Sequence, residues 1–287
     1  MNMLKTSSYY ANMFLNSFGL ELNRSTLSNV LFDLSGTSID PVEALYRSKG
    51  RPFVMDIPIS KCFSIDFSGS NPNNPFVQTL IAYDQGNCTS YKGSPLEDYY
   101  NKWQPANAVA LDKHGRELAP PWDYGPKKSS NLPEARLNRK GFLKVKKELH
   151  ITEKNLFGHI SRGPVSEGFG EITFNRLVQI YNSIKRNGYR PDEMSAGHIQ
   201  ASFFVDGRDY RVSVSSGKHR VTALQALGYE KVPIQFGPPK FPVMIRRDEV
   251  DSWPNVRLGH YTKEEALRLF DKKFQDIHPS NWQWEQN

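Results

Sequence analysis

The chain has 287 residues, and its 37 lysines and arginines exceed its 30 aspartates and glutamates, which leaves a net charge of +7. This length suits one large or two modest domains, and a hydrophobic content of 38% excludes a disordered chain. The sequence contains no apolar run near the ~18 residues of a membrane span and no clean signal-peptide core. Its two cysteines are too few for a disulfide scaffold or a zinc site. We therefore expect a soluble, cytoplasmic globular protein.

The excess positive charge lies in the second half of the chain. Residues 1–135 carry 12 basic and 13 acidic side chains, whereas residues 136–287 carry 25 basic and 17 acidic ones. Such an excess attracts an anion, which can be nucleic acid, a nucleotide or a phosphorylated metabolite, although a solvated basic face has the same composition. We expect any anion to bind in the second half.

The first 135 residues predict a mixed α and β region whose fold we do not identify. Phe53, Met55 and Ile57 alternate with more polar positions, as the buried residues of a strand do. Aromatic residues between prolines later in this region predict a packed lid, which could also shape an acceptor site. The predicted elements are a helix over 26–34, strands over 51–59 and 62–67, a loop over 68–75 and a helix over 95–103 capped by Ser94.

Residues 136–159 have the composition of a basic connector. Between Arg136 and Lys147 there are six basic residues and no acidic one. A linker or a solvated basic strand explains this pattern, and a nucleic-acid contact strip would need interleaved aromatic residues that are missing here. We place a domain boundary in this stretch.

The second half begins with a helix and a hairpin. Apolar residues recur at helical spacing from Phe174 to Ile184, with Thr173 as the predicted N-cap and Gly188 after the last turn. The Asp206-Gly207 pair favours a type I′ turn, which predicts a hairpin across 199–214.

A β-loop-α-β unit over 210–236 comes next. It contains a helix over 219–227, ended by Gly228, and then a strand in which alternate residues are apolar. Near the end of the chain, Thr262 and Glu265 predict a capping box. The helix that begins there is expected to bury Leu267, Phe270 and Phe274.

The candidate functional residues lie at the junction between the strand and the helix of this unit. It reads Ser215-Ser216-Gly217-Lys218-His219-Arg220. A glycine lets the backbone approach a ligand closely, and a helix start offers free amides and the positive end of the dipole. The lysine, the arginine and the hydroxyls add charge and oxygen ligands suited to phosphate or a metal. The loop is neither a Walker loop nor a GxGxxG fingerprint. A solvated basic helix start is the alternative, but the surrounding unit favours an anion site.

The stretch from Val212 to Phe236, VSVSSGKHRVTALQALGYEKVPIQF, resembles the GxHRxxAxxxLGxxxVPV segment of the ParB/sulfiredoxin superfamily. The likeness covers residues 160–245 and implies an α+β fold with a mixed sheet and a GxHR helix. The matching residues are Gly217, His219, Arg220, Ala223, Leu227, Gly228, Val232 and Pro233. The expected division is an N-terminal α+β region 1–135, a connector 136–159, a nucleotide-binding domain 160–245 and a C-terminal helix with a Trp-rich tail 246–287.

This superfamily contains chromosome-partitioning CTP-binding proteins, sulfiredoxins and small-molecule kinases, including the free-serine kinases. The likeness implies that nucleotide phosphates bind at the helix start, usually with Mg²⁺. Lys218 occupies the position of the reactive cysteine of sulfiredoxins, which argues against that chemistry, and Ser216 occupies the position where free-serine kinases have an aspartate. The implied phosphate-binding residues are Ser215, Ser216, Gly217, Lys218, His219, Arg220 and Thr222.

A kinase also needs a base near the acceptor hydroxyl. The serine-kinase relatives keep a glutamate just before the helix that precedes the hairpin, and Glu171 has the expected spacing from Arg176. Glu167 is the reserve candidate, and His219 is a further catalytic candidate. A glutamate before a helix also stabilises the helix dipole, so both roles of Glu171 stay open. The weaker substrate-binding candidates are Arg162 and His159.

Two functions follow as hypotheses. The first is a phosphotransferase that uses ATP or ADP with Mg²⁺ and acts on a hydroxyl of a small metabolite. The second is a ParB-like nucleotide-binding or DNA-associated protein without kinase activity. Only about forty residues follow Arg246-Arg247, and they predict no helix-turn-helix, which counts against DNA reading. A nuclease is a weaker third hypothesis, since no acidic metal cluster is evident.

Overall fold

The computed structural model describes residues 31–64, 67–104, 119–123, 140–152, 156–193, 197–237 and 242–275. These residues form a mixed α/β structure with an eight-stranded mixed sheet, so the α+β class is confirmed. The strands are β1 (Phe32–Asp33), β2 (Phe53–Pro58), β3 (Cys62–Ser64), β4 (Phe67–Ser68), β5 (Ile199–Asp206), β6 (Asp209–Ser216), β7 (Lys231–Phe236) and β8 (Met244–Arg246). The helices are α1 (Pro41–Ser48), α2 (Pro75–Asp84), α3 (Pro95–Lys102), α4 (Lys140–Glu148), α5 (Glu167–Asn187), α6 (Lys218–Ala226), α7 (Pro254–Arg257) and α8 (Lys263–Asp271).

The sheet joins strands from both halves of the chain. Its order is β1-β2-β7-β5-β6-β3-β4, and β8 pairs with β5 beside this path. β2 runs antiparallel to β7, and β3 runs parallel to β6. The strands between residues 53 and 68 therefore extend the sheet formed by residues 199–236 on both sides.

One face of the sheet carries the main hydrophobic core. Phe53, Met55 and Ile57 are buried there, as their alternation predicts, and so are the alternate apolar residues of β7. Helices α2, α3, α5 and α6 contribute buried side chains to the same core. A fully buried side chain of this size stabilises the fold by about 1.5–3 kcal/mol.

The opposite face carries a second, smaller core under α8. Phe204 of β5 meets Trp253 and Phe270 there. The predicted capping box is confirmed, because the Thr262 hydroxyl accepts from the Glu265 amide while the Glu265 side chain accepts from the Thr262 amide. Phe270 is buried as expected, whereas Leu267 and Phe274 are partly buried.

The long helix α5 begins earlier than its apolar pattern predicts. Its N-cap is Ser166, whose hydroxyl accepts from the amide of Phe169. Thr173 is therefore not a cap but lies inside the helix, where its hydroxyl donates to the carbonyl of Phe169 at 2.9 Å. Two glycines in the first turns hide this start from sequence rules, since glycine disfavours a helix. Gly170 is needed because a Cβ there would lie 2.2 Å from the ring of Tyr91.

The basic stretch between the halves contains a helix rather than an extended connector or strand. In α4, Phe142 and Val145 are buried in a cluster with Phe169 and Ile172 of α5. Two apolar residues on one face anchor the helix, while Lys144 and Lys147 are exposed. Part of the basic composition therefore belongs to a solvated helix face.

Four smaller differences separate prediction from structure. Phe32–Asp33 is a strand, so the predicted helix over 26–34 is wrong at its end, and residues 26–30 lie outside the described residues. The stretch 62–67 forms two strands, β3 and β4, rather than one. The hairpin loop is Gly207-Arg208 between the pair Asp206 and Asp209, one residue later than predicted. Helices α1 and α2 were not anticipated. None of the helices in the described part of the chain is long and apolar enough to cross a membrane.

Candidate functional site

The site is built where β6 ends and α6 begins. Gly217 forms the N-cap of α6 with φ +86°, a left-handed conformation that glycine adopts without strain. Its carbonyl accepts from the amides of Arg220 at 2.8 Å and Val221 at 3.1 Å. A Cβ on Gly217 would lie 2.8 Å from Nη2 of Arg220 and 2.9 Å from Cγ1 of Ile199. Both the conformation and the space therefore require glycine here.

The first turn of α6 lies at an edge of the sheet where ligands often bind. It follows the carboxyl end of β6, next to the carboxyl end of the parallel strand β3. Amides in the first turn of a helix have no intrahelical acceptor and carry the positive end of the dipole. The anion site that the loop sequence predicts would use this frame.

Arg220 is buried and points away from the open side of the loop. Its Nη2 donates to the carbonyl of His198 at 3.4 Å, and its Nη1 donates to the carbonyl of Gly197. These carbonyls lie at the start of β5, whose Ile199 amide donates to the hydroxyl of Tyr189. The guanidinium predicted to hold phosphate thus ties α6 to the start of β5.

His219 is buried at 8% exposure and is uncharged at neutral pH. Burial and, to a smaller extent, the positive charges of Arg176 and Lys218 together lower its pKa to about 3. Its Nε2 is buried without a hydrogen-bond partner in the described part of the chain. The charge of Arg176 on α5 therefore acts on His219 in the first turn of α6.

The hydroxyl groups of the loop have different surroundings. Ser215 and Ser216 are exposed, and the Ser215 hydroxyl donates to the carbonyl of Gln200 at 3.0 Å. Thr222 is buried, and its hydroxyl donates to the carbonyl of Lys218 at 3.1 Å within the helix. Thr222 is therefore engaged within its own helix, whereas Ser216 and the half-exposed Lys218 lie at the surface of the loop.

The predicted base lies inside α5, not before it. Glu171 is in the second turn of α5, where its carboxylate accepts from Asn175 at 3.3 Å. Burial and the nearby charges of Glu167 and Glu97 raise the pKa of Glu171, while the hydrogen bonds from the Tyr91 backbone and Asn175 oppose this shift. Glu167, which is exposed, precedes Glu171 by about one helical turn, so the two side chains lie on the same side of α5.

The side chains of Glu171 and Arg176 leave α5 on different sides. Arg176, which acts on His219, follows Glu171 by five residues. Five residues turn a helix by about 140° beyond one full rotation, so the two side chains leave the helix in different directions. The structure does not bring Glu171 or Glu167 together with the phosphate-binding candidates.

The two weaker candidates lie in a loop that is fixed to α3. Nδ1 of His159 accepts from the amide of Ser161 at 3.1 Å, and the amide of Arg162 donates to the carbonyl of His159 at 3.4 Å. The hydroxyls of Tyr99 and Tyr100 donate to the carbonyls of Ser161 and Ile160. The short turn 159–162 is thus held in place by two tyrosines.

The sequence did not single out two residues that the structure places at this edge. Arg176 is one, because only the packing of α5 on α6 brings its charge to His219. Ser64 is the other, since it ends β3 and its buried Oγ has no partner within the described residues. No short motif marks either residue, so only the three-dimensional pairing reveals them.

The described residues contain no group of three or more His, Cys, Asp or Glu side chains that could hold a metal ion. Mg²⁺ usually keeps several waters and binds through one or two carboxylates and the phosphates of a substrate. The donors at the loop fit only a metal that arrives with a nucleotide, with the exposed hydroxyl of Ser216 as a supplementary ligand.

A scan against models of protein families, a search of curated proteins and a search of solved structures each found no match to this chain.

Proposed function

We propose that the chain is a nucleotide-dependent phosphotransferase that binds the phosphates of ATP or ADP at the first turn of α6. Its acceptor would be a hydroxyl of a small metabolite. The observation that supports this most directly is that Lys218, which is partly exposed, lies in the first turn of α6, whose amides have no intrahelical acceptor. A glycine in a left-handed conformation opens the same turn to a close ligand.

The roles of the loop residues follow from their surroundings. Lys218 and Arg176 would neutralise phosphate charge, and the first-turn amides would bind phosphoryl oxygens. Arg220 would act indirectly, since its guanidinium positions α6 against the start of β5. Phosphoryl transfer depends mainly on positioning and electrostatic stabilisation, so such a set suffices for binding the donor.

The base for the acceptor hydroxyl stays a prediction. Glu171 is the candidate by its resemblance to the serine kinases, and its raised pKa would suit a proton acceptor. Its position across α5 from Arg176 means that an acceptor would have to reach around that helix. Mg²⁺, when bound with the nucleotide, would supply further charge neutralisation.

Calorimetric titration and thermal unfolding with ATP, ADP, CTP and GTP in the presence of Mg²⁺ test this proposal. Ligands that bind only the folded state raise its stability, by about 2.7 kcal/mol at a concentration of 100 Kd. We expect ATP or ADP to raise Tm. Lys218→Ala should weaken this binding at least about tenfold without lowering Tm in the absence of nucleotide.

Lys144→Ala is the matched control, because Lys144 is an exposed lysine of α4 outside the site. It should bind nucleotide like the wild type. Phosphorus NMR with pooled small hydroxylated metabolites then detects transfer. Nucleotide binding without transfer to any acceptor would favour the ParB-like alternative. If no nucleotide binds, while duplex DNA binds with an affinity that falls steeply with salt, the phosphotransferase is excluded.

A further inference from the structure

Two buried polar atoms that have no hydrogen-bond partner among the described residues lie on the same side of the sheet. They are Oγ of Ser64, a residue that is 6% exposed, and Nε2 of His219, a residue that is 8% exposed. The other unpartnered buried atoms of the described residues belong to Trp253 and Asn255, and Trp253 lies in the second core under α8. Ser64 and His219 therefore form a separate pair of unsatisfied groups.

The strand register places Ser64 next to the start of α6. β3 pairs with β6 in parallel, with Phe63 opposite Ser213, so Ser64 is level with Val214, three residues before Gly217. Alternate residues of a strand share a face. Cys62 lies in the main core, so Ser64 points to the same helix-bearing face, and α6 packs against β3.

The neighbouring residue confirms this orientation. Nζ of Lys273 lies 4.2 Å from the ring centroid of Phe63, on the side of α8. Phe63 thus faces away from the main core, and Ser64, which follows it, faces the side on which α6 begins. Its hydroxyl lies within the helix-bearing layer.

An unpartnered buried polar atom costs about 1–3 kcal/mol, so a fold rarely keeps one without a reason. A bound ligand removes that cost. Two such atoms, one at the end of β3 and one in the first turn of the helix that packs against it, would both be satisfied by a ligand with oxygen atoms between β3 and α6.

The local charge identifies the chemistry of this ligand. Arg176 and Lys218 make the surroundings of His219 positive, and the imidazole is neutral. A neutral imidazole can carry its proton on Nε2 and donate from it, and a serine hydroxyl donates as well. Donors in a positive site select anionic oxygen.

We propose that Ser64 Oγ and His219 Nε2 both donate hydrogen bonds to one phosphoryl group bound at the first turn of α6. The first half of the chain would then contribute directly to the phosphate site through β3. This inference rests on the proposed function, and it adds to it a binding residue from outside the segment that carries the family resemblance.

Substitution of Ser64 tests the inference with inorganic phosphate and ADP as the probes. Ser64→Ala removes a hydroxyl that has no hydrogen-bond partner among the described residues, so Tm without ligand should be unchanged or higher. Affinity for both probes should fall about tenfold, since a hydrogen bond to a charged group is lost. His219→Phe, which removes the other donor, should weaken binding of the same probes to a similar degree.

Ser48→Ala is the matched control. Ser48 is also fully buried, but its hydroxyl donates to the carbonyl of Leu45 at 2.8 Å. This variant should lose stability and keep wild-type affinity for phosphate and ADP. We therefore expect Ser64→Ala to lower the affinity without lowering Tm, and Ser48→Ala to lower Tm without lowering the affinity.

The possible outcomes separate this inference from the proposed function. Wild-type affinity for phosphate and ADP in Ser64→Ala would overturn the inference and leave the nucleotide site standing. If the wild type binds phosphate but no nucleotide, the proposed function fails, and reduced phosphate binding by Ser64→Ala still supports the inference. If the wild type binds neither probe, both are wrong.

Discussion

Nη2 of Arg220 donates a hydrogen bond to the carbonyl oxygen of His198 at 3.4 Å, and Nη1 of the same side chain donates to the adjacent carbonyl of Gly197. This contact joins the first turn of α6 to the start of β5, 22 residues earlier in the chain. A residue that the loop motif would assign to phosphate binding therefore has a structural role, and that role determines how its variants behave.

Arg220→Lys should destabilise the protein. A lysine ammonium on a flexible stem does not reproduce the planar fork that reaches two carbonyls, so at least one partly buried acceptor loses its partner. We expect a loss of about 1–3 kcal/mol in the free energy of unfolding, measured by urea denaturation. Arg186→Lys is the control, since Arg186 donates to the carbonyl of Asn182 on the exposed surface of α5. Equal stability of the two variants would contradict the structural role.

Gly217→Ala should be more harmful than Gly228→Ala. Both glycines have positive φ, +86° and +78°, so alanine is strained at either position. At Gly228 the added Cβ meets nothing within 4 Å, whereas at Gly217 it would lie 2.8 Å from Nη2 of Arg220. We expect a cost of about 1 kcal/mol at Gly228 and clearly more at Gly217, together with loss of anion binding only at Gly217. Thermal unfolding and phosphate titration of both variants measure this.

His219 should make the protein less stable in acid. Its pKa is about 3 in the folded protein against 6.5 ordinarily, so below about pH 6.5 the unfolded chain binds a proton that the folded chain does not. The contribution to stability is present above pH 6.5 and is lost as the pH falls towards 3, at up to about 1.4 kcal/mol per pH unit.

His219→Gln removes this titration. The difference in unfolding free energy between wild type and variant, measured by urea denaturation from pH 7 to pH 4, should therefore shrink as the pH falls. A constant difference across that range would mean that the pKa of His219 is the same in the folded and the unfolded protein.

Glu171→Gln should stabilise the protein at neutral pH. Burial and the charges of Glu167 and Glu97 raise the pKa of Glu171, so its ionisation above the ordinary value of 4.5 opposes folding. Glutamine keeps an oxygen for the amide of Tyr91 and removes the charge. We expect a higher Tm at pH 7 and a smaller change near pH 4. A lower Tm at pH 7 would show that the ionised carboxylate is stabilised in place.

The same variant decides the catalytic role of Glu171. If Glu171 is the base, nucleotide affinity is kept and phosphoryl transfer is lost. If transfer continues at the wild-type rate, the base lies elsewhere, and Glu171 is only a member of the acidic group that it forms with Glu167 and Glu97.

Local sequence patterns predicted those elements in which the spacing of the apolar residues matches the spacing of the buried positions. The alternation of Phe53, Met55 and Ile57 gave a strand, and the Thr262–Glu265 spacing gave a confirmed capping box. The start of α5 was missed, because Gly168 and Gly170 look unfavourable for a helix until the ring of Tyr91 is seen to occupy the space above Gly170.

The excess positive charge of the second half was likewise predicted from local patterns only in part. Local residue order alone shows that basic residues are concentrated there and that a glycine, a lysine and a histidine open a helix after a strand. Backbone and helix-dipole physics can interpret both features directly. Two further basic residues, Lys144 and Lys147, lie exposed on α4.

The surroundings of α6 depend on contacts between distant segments. Arg176 comes from α5 and Ser64 from β3, more than 100 residues apart in the sequence, and both α5 and β3 pack against α6. The same packing turns Arg220 towards the start of β5. Direction and burial depend on contacts between distant segments, and no local pattern of residue types encodes them.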